Sequence, residues 1–331
     1  TDSLRLTEQF NFSIGTNAES LAIGDTDNDG KNELVLCAAD GMVYVYSLDE
    51  LGYVVEWFTY VGKLAHDSII GDADGDGANE IVVSGVIPEM QHKDFVHIFG
   101  HNGSTYIEEW SIEGSSQLSF LDVAMGDLDG DGVNEIVTGD DASGSVRVLS
   151  YANFTYVEEW NYSDSDLSMR GSTTIGNVDN DNLDEIVVAT YGGFLRIIGY
   201  NESKGKYVLE WETSDLAEWP CEVVTGDTDV DGVEEIVVGD DEGVVRICDF
   251  DGLNHSERYQ KDFGEAACGL AIGDINTDGY GEIIAGSWED QGSLHILSYT
   301  GNAYKQCWKT TFSNPHGVQT ATVGDVDNDG S

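Results

Sequence analysis

Seven copies of an acidic loop place carboxylate side chains at alternate positions along the chain. In the first copy these are Asp25, Asp27 and Asp29, and Gly30 follows them. Oxygens at alternate positions of a tight turn can surround a hard cation, and Ca²⁺ takes about 6 to 8 oxygen ligands. Glycine at the sixth position allows the left-handed turn that such a loop requires. The spacing therefore predicts calcium sites, up to seven in all, and Mg²⁺ fits less well because it prefers a tighter octahedron.

The ninth residue of each complete copy is a glutamate, which stands at the start of the next predicted strand and would close the ligand shell. The copies cover residues 25–33, 72–80, 127–135, 177–185, 227–235, 274–282 and 325–331. The predicted side-chain ligands are, copy by copy, Asp25, Asp27, Asp29 and Glu33; Asp72, Asp74, Asp76 and Glu80; Asp127, Asp129, Asp131 and Glu135; Asn177, Asp179, Asp181 and Glu185; Asp227, Asp229, Asp231 and Glu235; Asp274, Asn276, Asp278 and Glu282; and Asp325, Asp327 and Asp329. Asn177 and Asn276 each replace an aspartate, so we expect the fourth and sixth sites to bind more weakly.

The repeat around each loop is typical of four short strands. In the third repeat these are residues 121–126, 135–140, 145–151 and 156–160, which are rich in β-branched or alternating apolar residues. Four such strands joined by Gly, Asp and Asn turns make one blade of a β-propeller. The sequence predicts a single all-β domain over residues 1–331, a seven-bladed β-propeller of four-stranded antiparallel blades. We expect the seventh blade to be incomplete and to be closed by an N-terminal strand at residues 6–10.

A tryptophan recurs in the fourth predicted strand of most repeats. The five that share this position are Trp57, Trp110, Trp160, Trp211 and Trp308. Recurrence at one strand position favours packing between neighbouring blades over the binding of a ligand.

The chain carries a large acidic excess, with 63 Asp and Glu against 14 Lys and Arg and a formal net charge of -49. Such a charge repels phosphate backbones and anionic lipid headgroups, which argues against nucleic acid as a partner and against direct membrane insertion. The N-terminus has no initiator Met and no signal-peptide pattern, so we expect a processed or excised fragment.

Five cysteines without a C-x-x-C spacing predict neither a zinc site nor a full disulfide framework. Cys221 and Cys268 stand at equivalent positions of adjacent repeats, where a bridge is conceivable, but we expect two buried thiols because inner strands near a channel mouth often lie too far apart. Six N-x-S/T triplets begin at Asn11, Asn102, Asn153, Asn161, Asn201 and Asn254. Secretion and glycosylation would explain them, although these are also ordinary turn residues.

The pattern Gly-Asp-x-Asp-x-Asp-Gly-x-x-Glu-Ile-Val-Val-Gly resembles the FG-GAP repeat of integrin α-like and VCBS-type proteins, and the resemblance covers nearly the whole chain. It implies a seven-bladed propeller with Ca²⁺ between the first and second strands of a blade and a partner on the opposite face. It also implies a main-chain carbonyl ligand at the seventh loop position, which is Lys31, Ala78, Val133, Leu183, Val233 or Tyr280. Unlike animal integrins, this chain has the acidic loop in every repeat and largely lacks the Phe-Gly opening, so it resembles a microbial surface protein more closely.

The loops opposite the predicted ions are where the repeats differ most. Candidate ligand-binding residues there are His66, His92, Arg170, Trp219, Trp288 and His316. Exposed aromatic, basic and acidic groups together suit a glycan or a peptide.

The sequence lacks a Gly-x-Ser-x-Gly nucleophile, a His-Glu-x-x-His motif and a phosphate-binding glycine loop. We therefore expect a non-enzymatic, extracellular or cell-surface protein for adhesion or for recognition of a protein or glycan. The alternatives are the propeller part of a secreted lyase or glycosidase, and a structural spacer of a cell-surface protein. A funnel of paired carboxylates with Arg or His would favour the enzyme, and a shallow aromatic rim would favour the binder.

Overall fold

The computed structural model describes residues 6–50, 52–87, 93–113, 120–140, 145–163, 172–190, 192–213, 216, 219–287, 292–312 and 317–328. The chain divides into two compact units. The first unit comprises Glu8–Met169 with Gly324–Ser331, and the second comprises Arg170–Val323 with Thr1–Thr7. The prediction of one domain over residues 1–331 stays a prediction.

The first unit contains three four-stranded antiparallel sheets among its described residues. Blade 1 is β1 (Ala18–Gly24), β2 (Glu33–Ala38), β3 (Met42–Asp49) and β4 (Gly52–Tyr60); blade 2 is β5 (Leu64–Gly71), β6 (Glu80–Ile87), β7 (Lys93–His101) and β8 (Tyr106–Glu113); blade 3 is β9 (Phe120–Gly126), β10 (Glu135–Asp140), β11 (Ser145–Ala152) and β12 (Thr155–Ser163).

The second unit contains three further sheets of the same kind in the part that the structure describes. Blade 4 is β13 (Thr173–Gly176), β14 (Glu185–Ala189), β15 (Leu195–Asn201) and β16 (Lys206–Thr213); blade 5 is β17 (Pro220–Gly226), β18 (Glu235–Asp240), β19 (Val244–Phe250) and β20 (His255–Asp262); blade 6 is β21 (Ala267–Gly273), β22 (Glu282–Ser287), β23 (Ser293–Tyr299) and β24 (Tyr304–Thr311).

Each sheet runs in chain order, so within a blade each strand pairs with the strand that follows it. The second strand is buried on both faces, as expected for its β-branched run, and Val82, Val137 and Val237 are fully buried. The fourth strand lies at the sheet edge and alternates between exposed and half-buried residues. The first strands of successive blades contact each other within each unit. Burial is thus greatest in the second strand and least in the fourth, in keeping with the alternating pattern of the fourth strand.

Trp57 and Trp110, two of the five recurrent tryptophans, pack between blades as the sequence predicts. Trp57 of blade 1 lies 5.1 Å, centroid to centroid, from Tyr106 of blade 2. Trp110 stands 5.3 Å from Tyr156 in the same way. Offset or edge contacts between large rings bury apolar area and fix the angle between neighbouring sheets.

The prediction of seven blades is wrong, because the described residues form six sheets and the segments 6–17 and 317–328 contain no strand. Phe10 and Phe12 instead pack on Tyr53 and Tyr46 of blade 1, with ring centroids 5.8 and 5.0 Å apart. A strand needs a neighbour to bond along its length. Neither segment pairs with a neighbouring strand in the part of the chain that the structure describes.

The described residues contain no helix that is long and apolar enough to cross a bilayer.

Candidate metal centres in the acidic loops

Hydrogen bonds from the backbone hold carboxylates of the first six acidic loops in place. In the second loop, Asp72 Oδ1 accepts bonds from the amides of Gly75 (2.8 Å) and Asp76 (3.1 Å), and its Oδ2 accepts one from Gly77 (2.9 Å). Asp74 Oδ1 accepts a further bond from the Asp76 amide, at 3.1 Å. Aspartate favours turns because it can bond its own backbone in this way. The loop therefore positions its acids before any ion binds.

Two positions of the loop require a left-handed backbone. At the sixth, Gly77 has φ +90°, and Asn182 adopts φ 123° in the fourth loop. The fourth position is also left-handed, which the sequence analysis missed. Asn28 adopts it readily (φ 61°), whereas Val230 (φ 63°) is β-branched and strained there.

The glutamate at the ninth position is buried beneath the loop. One oxygen of each accepts a hydrogen bond from the backbone amide of the second loop residue. These amides belong to Thr26 (2.9 Å), Ala73 (2.8 Å), Leu128 (2.9 Å), Val178 (3.0 Å), Thr228 (2.8 Å) and Ile275 (3.2 Å). The hydroxyl of Thr26 adds a second bond to Glu33 and lies 2.6 Å from the hydroxyl of Tyr106. The glutamate thereby locks the loop onto the second strand.

Carboxylate oxygens converge in five of the loops in the described chain, where three acids offer atoms within 4.8 Å of one another. The groups are Asp25, Asp27 and Asp29; Asp72, Asp74 and Glu80; Asp127, Asp129 and Glu135; Asp179, Asp181 and Glu185; and Asp227, Asp229 and Glu235. The fourth loop keeps this arrangement despite Asn177. These five groups could hold a metal ion.

The sixth and seventh predicted sites are different. Asn276 Nδ2 donates to Glu282 Oε1 at 2.6 Å, and the Ser298 hydroxyl donates to the same oxygen at 3.0 Å. These donors occupy the glutamate oxygen that would otherwise be available to a cation. Asp325 and Asp327 of the seventh loop are described, whereas Asp329 lies outside the described residues.

The hydrogen bonding of the fifth group, Asp227, Asp229 and Glu235, indicates whether a cation fits this site. Asp229 Oδ1 and Glu235 Oε1 are buried and accept no hydrogen bond in the described structure. A buried carboxylate oxygen without a donor is costly, and a cation would satisfy both atoms at once. The donor set is all oxygen, which is the set that hard divalent cations prefer.

Burial raises the pKa of the loop glutamates, and the neighbouring aspartates raise it further. The pKa of Glu80 and that of Glu135 rise to about 8, that of Glu185 to about 9 and that of Glu235 to about 7. Loss of water around the carboxylate is the largest cause in each, and the amide bond from the second loop residue opposes it. A buried carboxylate of this kind is stabilised when it binds either a proton or a metal ion, because each offsets its negative charge.

Asparagines at the eighth position connect neighbouring loops in the first unit, which the sequence analysis did not foresee. Asn79 Nδ2 donates to the carbonyl of Asp25 at 2.8 Å, and Asn134 Nδ2 donates to that of Asp72 at 2.8 Å. Asn32 binds the carbonyl of Asp325 in the same way, at 2.7 Å. The recurrence of Asn at this position was the available signal.

The candidate ligand-binding residues are only partly described. His66 is half-buried beside Glu19, and its Nδ1 is buried without a hydrogen-bond partner. Trp219 is 51 % exposed and belongs to the second unit, whereas His66 belongs to the first. The other four, His92, Arg170, Trp288 and His316, lie outside the described residues.

Cys221 and Cys268 form a disulfide, so the expectation of two buried thiols is wrong. Their Cα atoms are 5.2 Å apart, well within the range that a bridge requires. Each cysteine is the extra residue of a β-bulge in the first strand of its blade. Bulges re-aim side chains, and these two bring the sulfur atoms of β17 and β21 together.

The FG-GAP-like repeat family matches residues 72–138 and 274–331. These ranges contain the second, third, sixth and seventh acidic loops. With six sheets of four antiparallel strands among its described residues, the chain is a β-propeller that carries FG-GAP-like repeats over these two ranges.

No curated protein matches the chain. Among solved structures, it is similar to BBS1N in complex with ARL6DN soaked with mercury, at 12% identity and a TM-score of 0.61 over 92% of this chain and 83% of that one. The same complex soaked with lead is 13% identical, with a TM-score of 0.62, and the match covers 93% of this chain and 85% of that one. At this identity the likeness concerns the fold alone.

Proposed function

We propose that this chain is a non-enzymatic, calcium-binding β-propeller that recognises a protein partner outside the cell. The observation that carries the proposal is the convergence of three acids in each of five loops, with two buried, unpartnered oxygens in the fifth. The groups contain Asp and Glu only, without His or Cys. Oxygen ligands in a flexible turn suit Ca²⁺ better than a transition metal, and better than Mg²⁺ with its strict octahedron.

Three features support an extracellular location. The Cys221–Cys268 disulfide is of a kind that persists in oxidising compartments. Asn11, Asn102 and Asn153, three of the glycosylation triplets, are exposed. Calcium modules of weak affinity, about 10⁻⁴ to 10⁻³ M, are filled at extracellular calcium concentrations.

The polar cluster that most resembles catalytic machinery has a structural role in this proposal. His295 Nε2 lies 2.8 Å from the hydroxyl of Ser293, but the exposed fractions of these residues are only 3% and 1%. In blade 5, Asp240 and Arg246 occupy the positions of Ser287 and His295 and form an ion pair across the same hairpin. Both clusters brace the second and third strands, and a buried serine is inaccessible to a substrate.

The partner is proposed to be a protein. The similar solved structures contain BBS1N in complex with ARL6DN, so a chain of this fold binds another protein there. In this chain the ends of the blades opposite the acidic loops present Trp219, whose exposure suits recognition.

Thermal melting of the full chain tests the calcium proposal. The protein is stripped with a chelating resin and melted alone, with millimolar Ca²⁺ and with millimolar Mg²⁺, with tryptophan fluorescence as the signal. A ligand at 100 times its Kd stabilises a fold by about 2.7 kcal/mol per independent site, so we expect a large rise with Ca²⁺ and a small one with Mg²⁺. An unchanged melting temperature in Ca²⁺ would overturn the proposal.

A binding screen tests the partner. The calcium-loaded chain is incubated with a display library of extracellular protein domains and, separately, with a glycan array. Saturable binding to a protein domain that is lost in EGTA is the expected result. Binding to glycans alone, or to neither, would contradict a protein partner.

A further inference from the structure

Every blade has a β-bulge at the same place in its fourth strand. In blade 2, Ile98 pairs with Trp110 and Phe99 pairs with Glu108, so Glu109 is the extra residue. The bulged residues of the six blades are Glu56, Glu109, Glu159, Glu210, Arg258 and Cys307. A bulge redirects the side chain of its extra residue. The redirected side chain is therefore a glutamate in four blades, an arginine in the fifth and a cysteine in the sixth.

The redirected glutamates extend across the third strand, toward the acidic loop. A Cβ atom added to Gly199 would lie 2.6 Å from Oε2 of Glu210, and one added to Gly100 would lie 2.6 Å from Cδ of Glu109. In the other two blades, Ser47 and Ser150 occupy this third-strand position. The small residue leaves the space through which the carboxylate crosses the strand.

The carboxylate of Glu109 faces the acids of the second loop. Gly100, which it crosses, pairs with Glu80, the ninth residue of that loop. Glu109 is partly buried and lies within electrostatic range of Asp74 and Asp76. The same pairs of loop aspartates act on the bulged glutamates of blades 1, 3 and 4. Four carboxylates in the loop are thus joined by a fifth from the sheet edge.

A second observation at this site also points to a missing cation partner. The hydroxyl of Tyr156 is buried, has no hydrogen-bond partner in the described structure, and lies within electrostatic range of the carboxylates of Glu80, Asp74 and Glu109. Only 6% of the surface of Tyr156 is exposed. Closely spaced like charges and an unpaired buried hydroxyl are each costly, and a cation at this site would offset the charges.

Blade 5 supplies that positive charge from the protein itself. Arg258 Nη1 lies 2.6 Å from Asp229 Oδ2 and 2.9 Å from Asp249 Oδ2, and its Nη2 donates to the Tyr299 hydroxyl at 2.8 Å. The guanidinium thus occupies one oxygen of the third loop residue. Asp229 Oδ1 and Glu235 Oε1 remain unpartnered. The bulged residue therefore contacts the loop directly in blade 5, where it is a positively charged arginine instead of the negatively charged glutamate of blades 1–4.

We propose that the bulged residue of the fourth strand sets how strongly each acidic loop holds a divalent cation, by adding a carboxylate in blades 1–4 and a guanidinium in blade 5. The proposal rests on the cation-binding function above and adds a residue to each of these sites. A carboxylate at the open side of the loop binds the ion or its waters, and partners of this kind change metal affinity about 10- to 100-fold. Cys307 supplies neither charge in blade 6, where Asn276 and Ser298 already occupy the loop glutamate.

Calcium titrations of the full chain labelled with ¹⁵N-glycine test the proposal site by site. The amide of Gly77 donates to Asp72 and that of Gly232 donates to Asp227, so their resonances report the second and fifth sites. In Glu109→Gln, we expect the midpoint at Gly77 to rise about tenfold and that at Gly232 to stay unchanged. In Arg258→Gln the Gly232 midpoint should fall about tenfold, with no change at Gly77. Arg258→Lys keeps the charge and should give a smaller fall.

Glu108→Gln is the matched control, because it removes the same charge from the neighbouring residue, which pairs with His97 on the other face of the strand. It should move neither midpoint. If the wild type shows no calcium shift at either glycine, the proposed function fails. If the wild type shifts but Glu109→Gln and Arg258→Gln behave as Glu108→Gln does, calcium binding stands and the role of the bulged residue is refuted.

Discussion

The blades of the first unit are joined by polar side chains, whereas two blades of the second are joined by a covalent bond. In the first unit the buried carboxylate of Asp67 accepts bonds from the Ser20 hydroxyl (2.8 Å) and the Val123 amide (3.0 Å), and so connects three inner strands. In the second unit the Cys221–Cys268 disulfide connects β17 to β21. The strands repeat one pattern in both units, and the disulfide is the link between described blades that distinguishes the second unit. We therefore expect different substitutions to destabilise the two units.

The largest effect that we expect acts on the feature the two units share, the buried loop glutamates. In metal-free protein their folded pKa values, about 7 to 9 for Glu80, Glu135, Glu185 and Glu235, lie above the ordinary value of 4.5. The folded state then holds protons that the unfolded state releases, so the stability is present at low pH and is lost as the pH rises through about 7 to 9.

Melting of resin-stripped protein between pH 6 and pH 9 checks this dependence. Without metal the melting temperature should fall as pH rises. With saturating Ca²⁺ it should not fall, because the ion replaces the protons. Equal melting temperatures of the metal-free protein at both ends of the range would refute the linkage.

The next largest effect comes from removing the disulfide, which should destabilise the second unit and leave the first unchanged. Replacing Cys221 and Cys268 by serine opens a loop of sequence separation 47, for which the chain-entropy relation gives about 4 kcal/mol of lost stability. Hydrogen exchange should rise in blades 5 and 6 and stay unchanged in blades 1 to 3. Equal loss of protection in both units, or five free thiols in the untreated protein, would contradict the link.

Removal of the Asp67 carboxylate should destabilise the first unit. Asp67→Ala leaves the Val123 amide and the Ser20 hydroxyl without their acceptor, so we expect a loss of about 2 to 3 kcal/mol and faster exchange in blades 1 to 3. Glu222, whose Oε2 accepts the Leu270 amide at 2.6 Å, is the counterpart in the second unit. Because the disulfide joins the same two strands there, Glu222→Ala should cost less. A larger cost for Glu222→Ala than for Asp67→Ala would reverse the comparison.

The smallest effect compares the fourth loop position in the two units. Val230 is strained at φ 63°, whereas Asn28 adopts φ 61° with little cost. Val230→Asn should stabilise the protein by about 1 kcal/mol, and Asn28→Val should destabilise it by a similar amount. Urea unfolding measures both. Changes of the same sign in the two variants would show that backbone strain is not the cause.

Local patterns in the sequence predicted the strands and the acidic loops well. Alternation of side chains and the Gly and Asp turns depend on neighbours in the chain, so their structure can be derived from a short window. Val82 and Glu80 lie where that reasoning placed them, in a buried second strand that follows the loop. The FG-GAP resemblance is confirmed, and the identity of the bound ion and of the partner stays a prediction.

Contacts between blades could not be predicted in the same way. Asn79 meets Asp25 across 54 residues, and Cys221 meets Cys268 across 47. The glutamate before tryptophan in four repeats, as in Glu109-Trp110, was visible in the sequence, but its function depends on a bulge. A bulge shifts the register by one residue and so changes which face a side chain occupies.

The sequence by itself determined the repeat, the type of each strand and the all-oxygen chemistry of the loops, because these follow from residue type and spacing. The tertiary structure decided that the described residues form six blades, that Cys221 bonds Cys268, and that Arg258 rather than a glutamate contacts the fifth loop. The reason is physical: a strand exists only where another strand pairs with it, and a side chain reaches a distant loop only when backbone register and the packing of neighbouring sheets direct it there.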